Sequence, residues 1–328
     1  MRFRSSRVAQ AAAAGFLLST SPLSAAGLDA TTLMSQFALI SLGDADVTGV
    51  NHIEGRAYIG GDMTATGFYA NSDGGPDAAV GDVAGGLVVG NDIVGSVQSG
   101  GSGSIVVGGS ITGANSTGLP TSEGVGADVP GGVPVTDMAN LFTGLSSTLG
   151  GMAGTAGAAF SGDMNGWTFT SGAGDADGLA ILNLNAVDAN SILSSNGLME
   201  FDVDAGVTLV INVETAPANV SAKVNVDAES VLFNFHAATS LVFGSQAFNT
   251  SLLAPLADFS SPSGGTRGSM VVGSLADMAG EIRSFSNSDS TFGGDLSSVS
   301  VSAVPLPAPA LLLLAGLGAL GVVRRRAA

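Results

Sequence analysis

Short apolar runs that end in glycine recur through the first third of the chain. Ala57-Tyr58-Ile59-Gly60-Gly61-Asp62, Leu87-Val88-Val89-Gly90-Asn91-Asp92 and Ile105-Val106-Val107-Gly108-Gly109-Ser110 share one plan, an apolar run, a glycine, then small or polar residues. The first glycines of the three, Gly60, Gly90 and Gly108, stand at uneven but coil-length intervals. Short strands punctuated by glycine at such intervals are what a parallel β-solenoid requires, each coil stacking its strand on the one before. Glycine allows the corners. A β-sandwich of hairpins uses similar strands and turns and stays open as the alternative.

The period then changes. Met138, Leu141, Phe142, Leu145, Leu149 and Met152 recur at the three- and four-residue steps of one helical face. This predicts an amphipathic helix over about 137–152, capped by Thr136 or Asp137 and ended at Gly150-Gly151. A lone helix of this kind covers an apolar face or end of a sheet. From 166 to 295 short strands resume, at 167–170, 179–184, 198–203, 207–213, 220–226, 231–235, 240–243, 251–254 and 270–272. Val207, Leu209, Ile211 and Val213 alternate, so that stretch has one buried face. The opening stretch, 28–48, reads as a helix or a strand. The body is thus expected to be all-β with one flanking α-helix, spanning 27–296, with 297–303 as a linker.

Composition agrees. Glycine supplies 49 of 328 residues and charged residues only 11%, while 45% are hydrophobic, too many for a disordered chain. There are no cysteines, so the fold rests on its core and on repetitive hydrogen bonding. The two ends are set apart. Arg2, Arg4 and Arg7 precede an apolar segment over 8–18 and the small residues Ser24-Ala25-Ala26, the plan of a cleaved export signal over 1–26. At the other end Val304-Pro305-Leu306-Pro307-Ala308 leads into a run over 310–323 that is all apolar or glycine, and then Arg324-Arg325-Arg326. As a helix that run reaches roughly 21 Å, against about 30 Å of hydrocarbon, so it spans only with help from the residues before it. The arginines act as a cytoplasmic stop.

Removing both ends leaves four cations, Arg56, Lys223, Arg267 and Arg283, against 27 carboxylates, a formal charge of −23. Such a surface has nothing with which to neutralise phosphates, which excludes nucleic acid as a partner.

Two resemblances attach to these residues. The tail resembles the PEP-CTERM class of bacterial sorting signals in its Val-Pro-Leu-Pro-Ala variant. That likeness implies an exosortase-type membrane enzyme as processing partner and transient membrane attachment; a permanent C-terminal anchor is the plainer alternative. The body is similar to the choice-of-anchor A domain family. The likeness rests on Asn51-His52-Ile53-Glu54-Gly55-Arg56 with the Gly60-Gly61-Asp62 that follows, on Val231-Leu232-Phe233-Asn234-Phe235 leading to Ser251-Leu252-Leu253-Ala254-Pro255, and on Gly268-Ser269-Met270-Val271-Val272-Gly273-Ser274. Thr266-Arg267-Gly268-Ser269 departs from that family, which tends to have an Asn-Gly turn there. The resemblance implies an exported, surface-anchored structural or adhesive protein without general enzymatic activity, with extracellular polysaccharide or matrix as partner.

Candidate chemistry is sparse. His52 and His236 are the only histidines and neither stands in a nucleophile motif or with metal-ligand spacing. Asp44/Asp46, Asp175/Asp177 and Asp202/Asp204 are Asp-x-Asp pairs that can share a hard cation in a loop. Asp175 and Asp177, flanked by Gly174 and Gly178, are the best candidates for Ca²⁺; Asp73 and Asp77 form a second candidate loop. No other cofactor is indicated. Thr64-Ala65-Thr66 and Thr168-Phe169-Thr170 are too few and too far apart for an ice-binding threonine ladder. Arg56 reads as a structural ion-pair partner. A carbohydrate-active solenoid using clustered acids is the alternative to the adhesive reading.

Overall fold

Each apolar run becomes one rung of a ladder in which every neighbour is parallel. The computed structural model describes residues 28–49, 52–72, 85–99, 103–113, 121–126, 134–244, 246–261, 265–285 and 291–301. The expected export signal, the loop of Asp73 and Asp77, and the tail residues Val304, Pro305, Leu306, Pro307, Ala308, Arg324, Arg325 and Arg326 lie outside these residues.

The first face of the molecule is a sheet of ten strands. In spatial order they are Leu179–Leu184, Thr208–Val213, Val224–Asn234, Phe248–Ser261, Met270–Met278, Phe37–Ser41, Arg56–Ile59, Leu87–Val89, Ile105–Val107 and Thr121–Ser122. Hairpins give antiparallel pairs; among the described residues only Ala159–Asp163 and Gly166–Thr170 pair that way, in a separate three-stranded sheet. The fold is therefore the solenoid and not the sandwich.

Both sides of the first face are covered, which is why its strands read as unbroken apolar runs. Leu39, Ala57, Ile59, Leu87, Val89, Leu209, Ile211 and Phe233 point into the solenoid. Ile40, Tyr58, Val88, Val210, Leu232 and Val271 point outward into a second core. Three helices occur among the described residues: α1 (Ala30–Gln36), α2 (Val135–Gly150) and α3 (Ala186–Leu193). The outer core is closed by α1 and α2. From α2, Met138, Phe142, Leu145 and Leu149 bury onto it, as the spacing predicts. The start of α2 differs from expectation: Pro134 is the N-cap, without a side-chain cap, and Asp137 lies in the first turn. The segment 28–48 holds both expected alternatives in sequence, α1 capped by Asp29 and then the strand Phe37–Ser41.

Stacking is not sequential. The chain enters mid-sheet at Phe37–Ser41 and coils outward to Thr121–Ser122. It resumes at the far end with Leu179–Leu184, past α2, and coils back until Met270, Val271 and Val272 pair with Leu39, Ile40 and Ser41. The seam between halves is pinned by hydrogen bonds from Ser269 Oγ to the Phe37 carbonyl and from Thr291 Oγ1 to the Met34 carbonyl. The segment 291–301 closes over the seam. Phe292, Leu296 and Val299 are buried, and Leu28 and Val301 pack on the same core. The stretch expected to be a linker is thus docked as far as residue 301.

Candidate functional site

Two further parallel ladders complete each coil. On the second face Leu241, Phe259, Leu275, Ala45, Met63, Ile93 and Ile111 form one inward row, a residue per coil. The next positions along the strands point outward: Val242, Ser260 and Asp277 in one half, Asp46, Thr64, Val94 and Thr112 in the other. Nothing among the described residues covers this face, and Thr64, Thr112 and Asp277 are exposed. It is a regular array of small and polar side chains, repeating at the strand spacing of about 4.8 Å.

The corner between the first two faces shows how such regularity is built. Asp44 accepts from the Asp62 amide at 2.8 Å, Asp62 from the Asp92 amide at 3.1 Å, and Asp92 from the Ser110 amide at 2.8 Å. In the other half Ser274 Oγ donates to Asp258 at 2.7 Å. Glycine precedes or sits at this corner because coils touch there. A Cβ on Gly60 would run into the Leu42 carbonyl, and one on Gly90 into the Gly60 carbonyl. The Gly-Gly-Asp signature is therefore a stacking device.

The candidates drawn from sequence do not converge. Asp175 Oδ1 accepts from the amides of Asp177 and Leu179 at 3.0 and 2.9 Å, so it ties its own loop, and Asp177 is exposed. Among the described residues no group of three or more acidic or histidine side chains is placed to hold a metal ion. Asp46 caps the Thr48 amide. Thr64 has Asp46 and Val94 as register neighbours, so it belongs to no threonine ladder. His236 packs against Gly150 at the end of α2. Arg56 is buried, donating to the Gly85 carbonyl at 2.8 Å and lying 4.5 Å over the Phe37 ring; its aliphatic and planar parts match such a site.

The third face carries an arrangement that the sequence motifs do not announce. Asn249, Arg267 and Arg283 stand in register on three successive coils. Arg267 donates to the Ser284 carbonyl at 2.7 Å and lies 3.8 Å from Asp227. Arg283 contacts Glu281 and lies 3.8 Å from Glu54. His52 Nδ1 is 3.3 Å from the same Glu281. Asn249, Arg267, Glu281 and Arg283, with Ala247, Gly265, Thr266 and Gly280, surround a recess of about 440 Å³. A signal for it does exist in the sequence. Asn249, Arg267 and Arg283 follow one another at nearly equal intervals, one coil each, and two of the four body cations at that spacing mark one face.

Among the described residues no helix is long and apolar enough to cross a membrane. No curated protein matches the chain, and no solved structure does. A family model described as "Putative Ice-binding-like adhesive domain" matches residues 30–284, from the first turn of α1 to the seam at Arg283 and Ser284. That range takes in all three faces, and the chain belongs to this family of ice-binding-like adhesive domains.

Proposed function

We propose that the protein is an exported adhesin of the cell envelope or extracellular matrix, non-catalytic, held at its C-terminus by a processed sorting tail. The family match over 30–284 carries the adhesive part of this reading. The second face, which nothing among the described residues covers, and the recess of the third face supply the surface, while the helix-covered first face is already occupied. Export and attachment rest on the sequence of the two ends, with their likeness to export signals and to the PEP-CTERM class; the choice-of-anchor A likeness agrees with them. An exosortase-type enzyme would process the tail, and matrix polysaccharide would be the partner of the body.

Both halves of the reading are testable on protein recovered from cells. Adsorption of the mature protein to polysaccharide, to itself or to an abiotic surface, followed on a quartz microbalance, is the expected behaviour; inertness towards all three sinks the adhesive reading. Intact mass tests the tail. A chain ending near Val304 to Pro307 supports processing, whereas one that retains Arg324 to Arg326 replaces it with a permanent anchor.

A further inference from the structure

We propose that the recess on the third face is a subsite for a neutral hexose unit of an extracellular polysaccharide. The proposal rests on the adhesive reading and gives it a ligand class and an address.

The recess exists because the row beside Asn249 and Arg267 is built from residues with little or no side chain, Ala247 and Gly265; Glu281 follows them in register at the next coil and bounds the recess, with Gly280 before it. At about 440 Å³ it falls in the range of small-molecule sites. Its chemistry is two-signed. Each guanidinium has a carboxylate beside it, Asp227 at Arg267 and Glu281 and Glu54 at Arg283. No positive charge is left over for an anionic ligand, and the body around the recess carries −23 from four cations and 27 carboxylates. What remains is a set of directed groups. A guanidinium offers five N–H donors, and the contacts just described use only part of those of Arg267 and Arg283. Glu281 offers acceptor oxygens, and Asn249 offers both kinds. Vicinal hydroxyls of a sugar donate and accept at once, so they match this set where a carboxylate or an ammonium matches half of it.

The test fills the recess without touching the coil. A Cβ at Gly265 meets only the Glu281 carbonyl oxygen, at 3.4 Å, an ordinary contact. Gly265→Val therefore occupies the space, and Arg283→Gln removes donors; Val187→Thr, at an exposed position of α3 away from both faces, is the control. The mature protein and its variants are passed over immobilised neutral polymers (dextran, laminarin, mannan, arabinogalactan) and over alginate, with circular dichroism and melting curves confirming the fold. Retention of the parent by at least one neutral polymer is expected, weakened about tenfold in Gly265→Val and Arg283→Gln and unchanged in Val187→Thr, as loss of one or two charge-assisted hydrogen bonds implies. Equal retention of all variants overturns the subsite but leaves adhesion standing. Retention by alginate alone overturns the neutral-sugar assignment. A parent that binds no neutral polymer yet adheres to abiotic surfaces overturns the subsite, and one that adheres to nothing removes the adhesive reading as well.

Discussion

Tyr58 buries a phenol whose hydroxyl has no hydrogen-bond partner, outward from the first face and under the helices. Burial pushes its ionisation well above the ordinary value near 10. The sign follows from linkage. The unfolded chain ionises near pH 10 and the folded chain does not, so the stability owed to the neutral phenol is complete below pH 10 and falls above it by about 1.4 kcal/mol per pH unit. Tyr58→Phe removes both the orphaned hydroxyl and this loss. Urea titrations should find the variant at least as stable as the parent at pH 7 and increasingly more stable between pH 10 and 11; a gap that does not widen with pH refutes the argument. Asn234 is the opposite case. Its amide donates to the Ser146 carbonyl at 2.9 Å and to Asn212 Oδ1 at 2.8 Å, and it accepts from Ser146 Oγ at 2.6 Å, all buried. Asn212 in turn meets Asn183 and the Leu149 carbonyl, so a ladder of three amides satisfies the last carbonyls of α2. Asn234→Ala strands several of these groups and should cost about 3 kcal/mol in urea unfolding; a loss below about 1 kcal/mol would show that water replaces the ladder. None of this is legible in sequence, because Asn183, Asn212 and Asn234 belong to coils of unequal length and so show no period.

At the scale of elements, legibility follows burial. The strands at 87–89, 105–107, 179–184 and 270–272 are readable because both their faces are apolar. Their continuations on the second and third faces are not. Met63–Ala70 and Ile93–Ser99 mix apolar positions with threonine, serine and glycine, a pattern shared with loops, and Met270–Met278 runs on well past its apolar start. The helix α2 is legible from its helical period alone. At 16 residues it is about 24 Å long, enough to lie across five strands at about 4.8 Å each. It holds the sheet through Met138, Phe142, Leu145 and Leu149, all buried, of which Phe142 is the largest. Phe142→Ala should lower stability by about 3–5 kcal/mol in urea titration, the cost of a cavity in a packed core. The corner glycines test stacking in the same way. Gly90→Val drives a branched side chain into the Gly60 carbonyl and should prevent a cooperative melt, whereas Gly67→Ala opens onto empty space and is opposed only by its φ of +65°.

On the scale of the whole molecule, the order of coils is what sequence does not reveal. Repeats announce that coils exist, but each coil's apolar run fits beside any other, and only the unequal partners at the seam choose. The C-terminal half fills its interior with phenylalanines, Phe233 packing edge-on against Phe169, Phe201 and Phe248 at centroid distances of 5.2 to 6.3 Å. The half that begins the chain fills its interior mainly with Leu, Ile, Val and Ala. The two halves advance along the axis in one direction, so the chain is a permuted version of a simple solenoid in which the coil ending at Arg283 would lead straight into Phe37. Both ends of the described body, Leu28 and Val301, rest on the outer core beside α1. A circular permutant follows from this. Joining 301 to 28 through a short flexible linker, and opening the chain between Ser122 and Pro134, breaks no described strand or helix and leaves every rung with its neighbours. Its loops are closed by the same contacts, so its melting temperature should lie within a few degrees of the parent's, a difference of about 1 kcal/mol or less. It should also fold faster, because Met270 and Leu39, paired in the sheet but 231 residues apart in the native chain (270 − 39), would be separated by little more than the segments 270–301 and 28–39 and the linker. Stopped-flow refolding of the two forms decides it: a permutant that folds more slowly, or not at all, would mean that the seam is the nucleus around which the two halves must assemble from opposite ends of the chain.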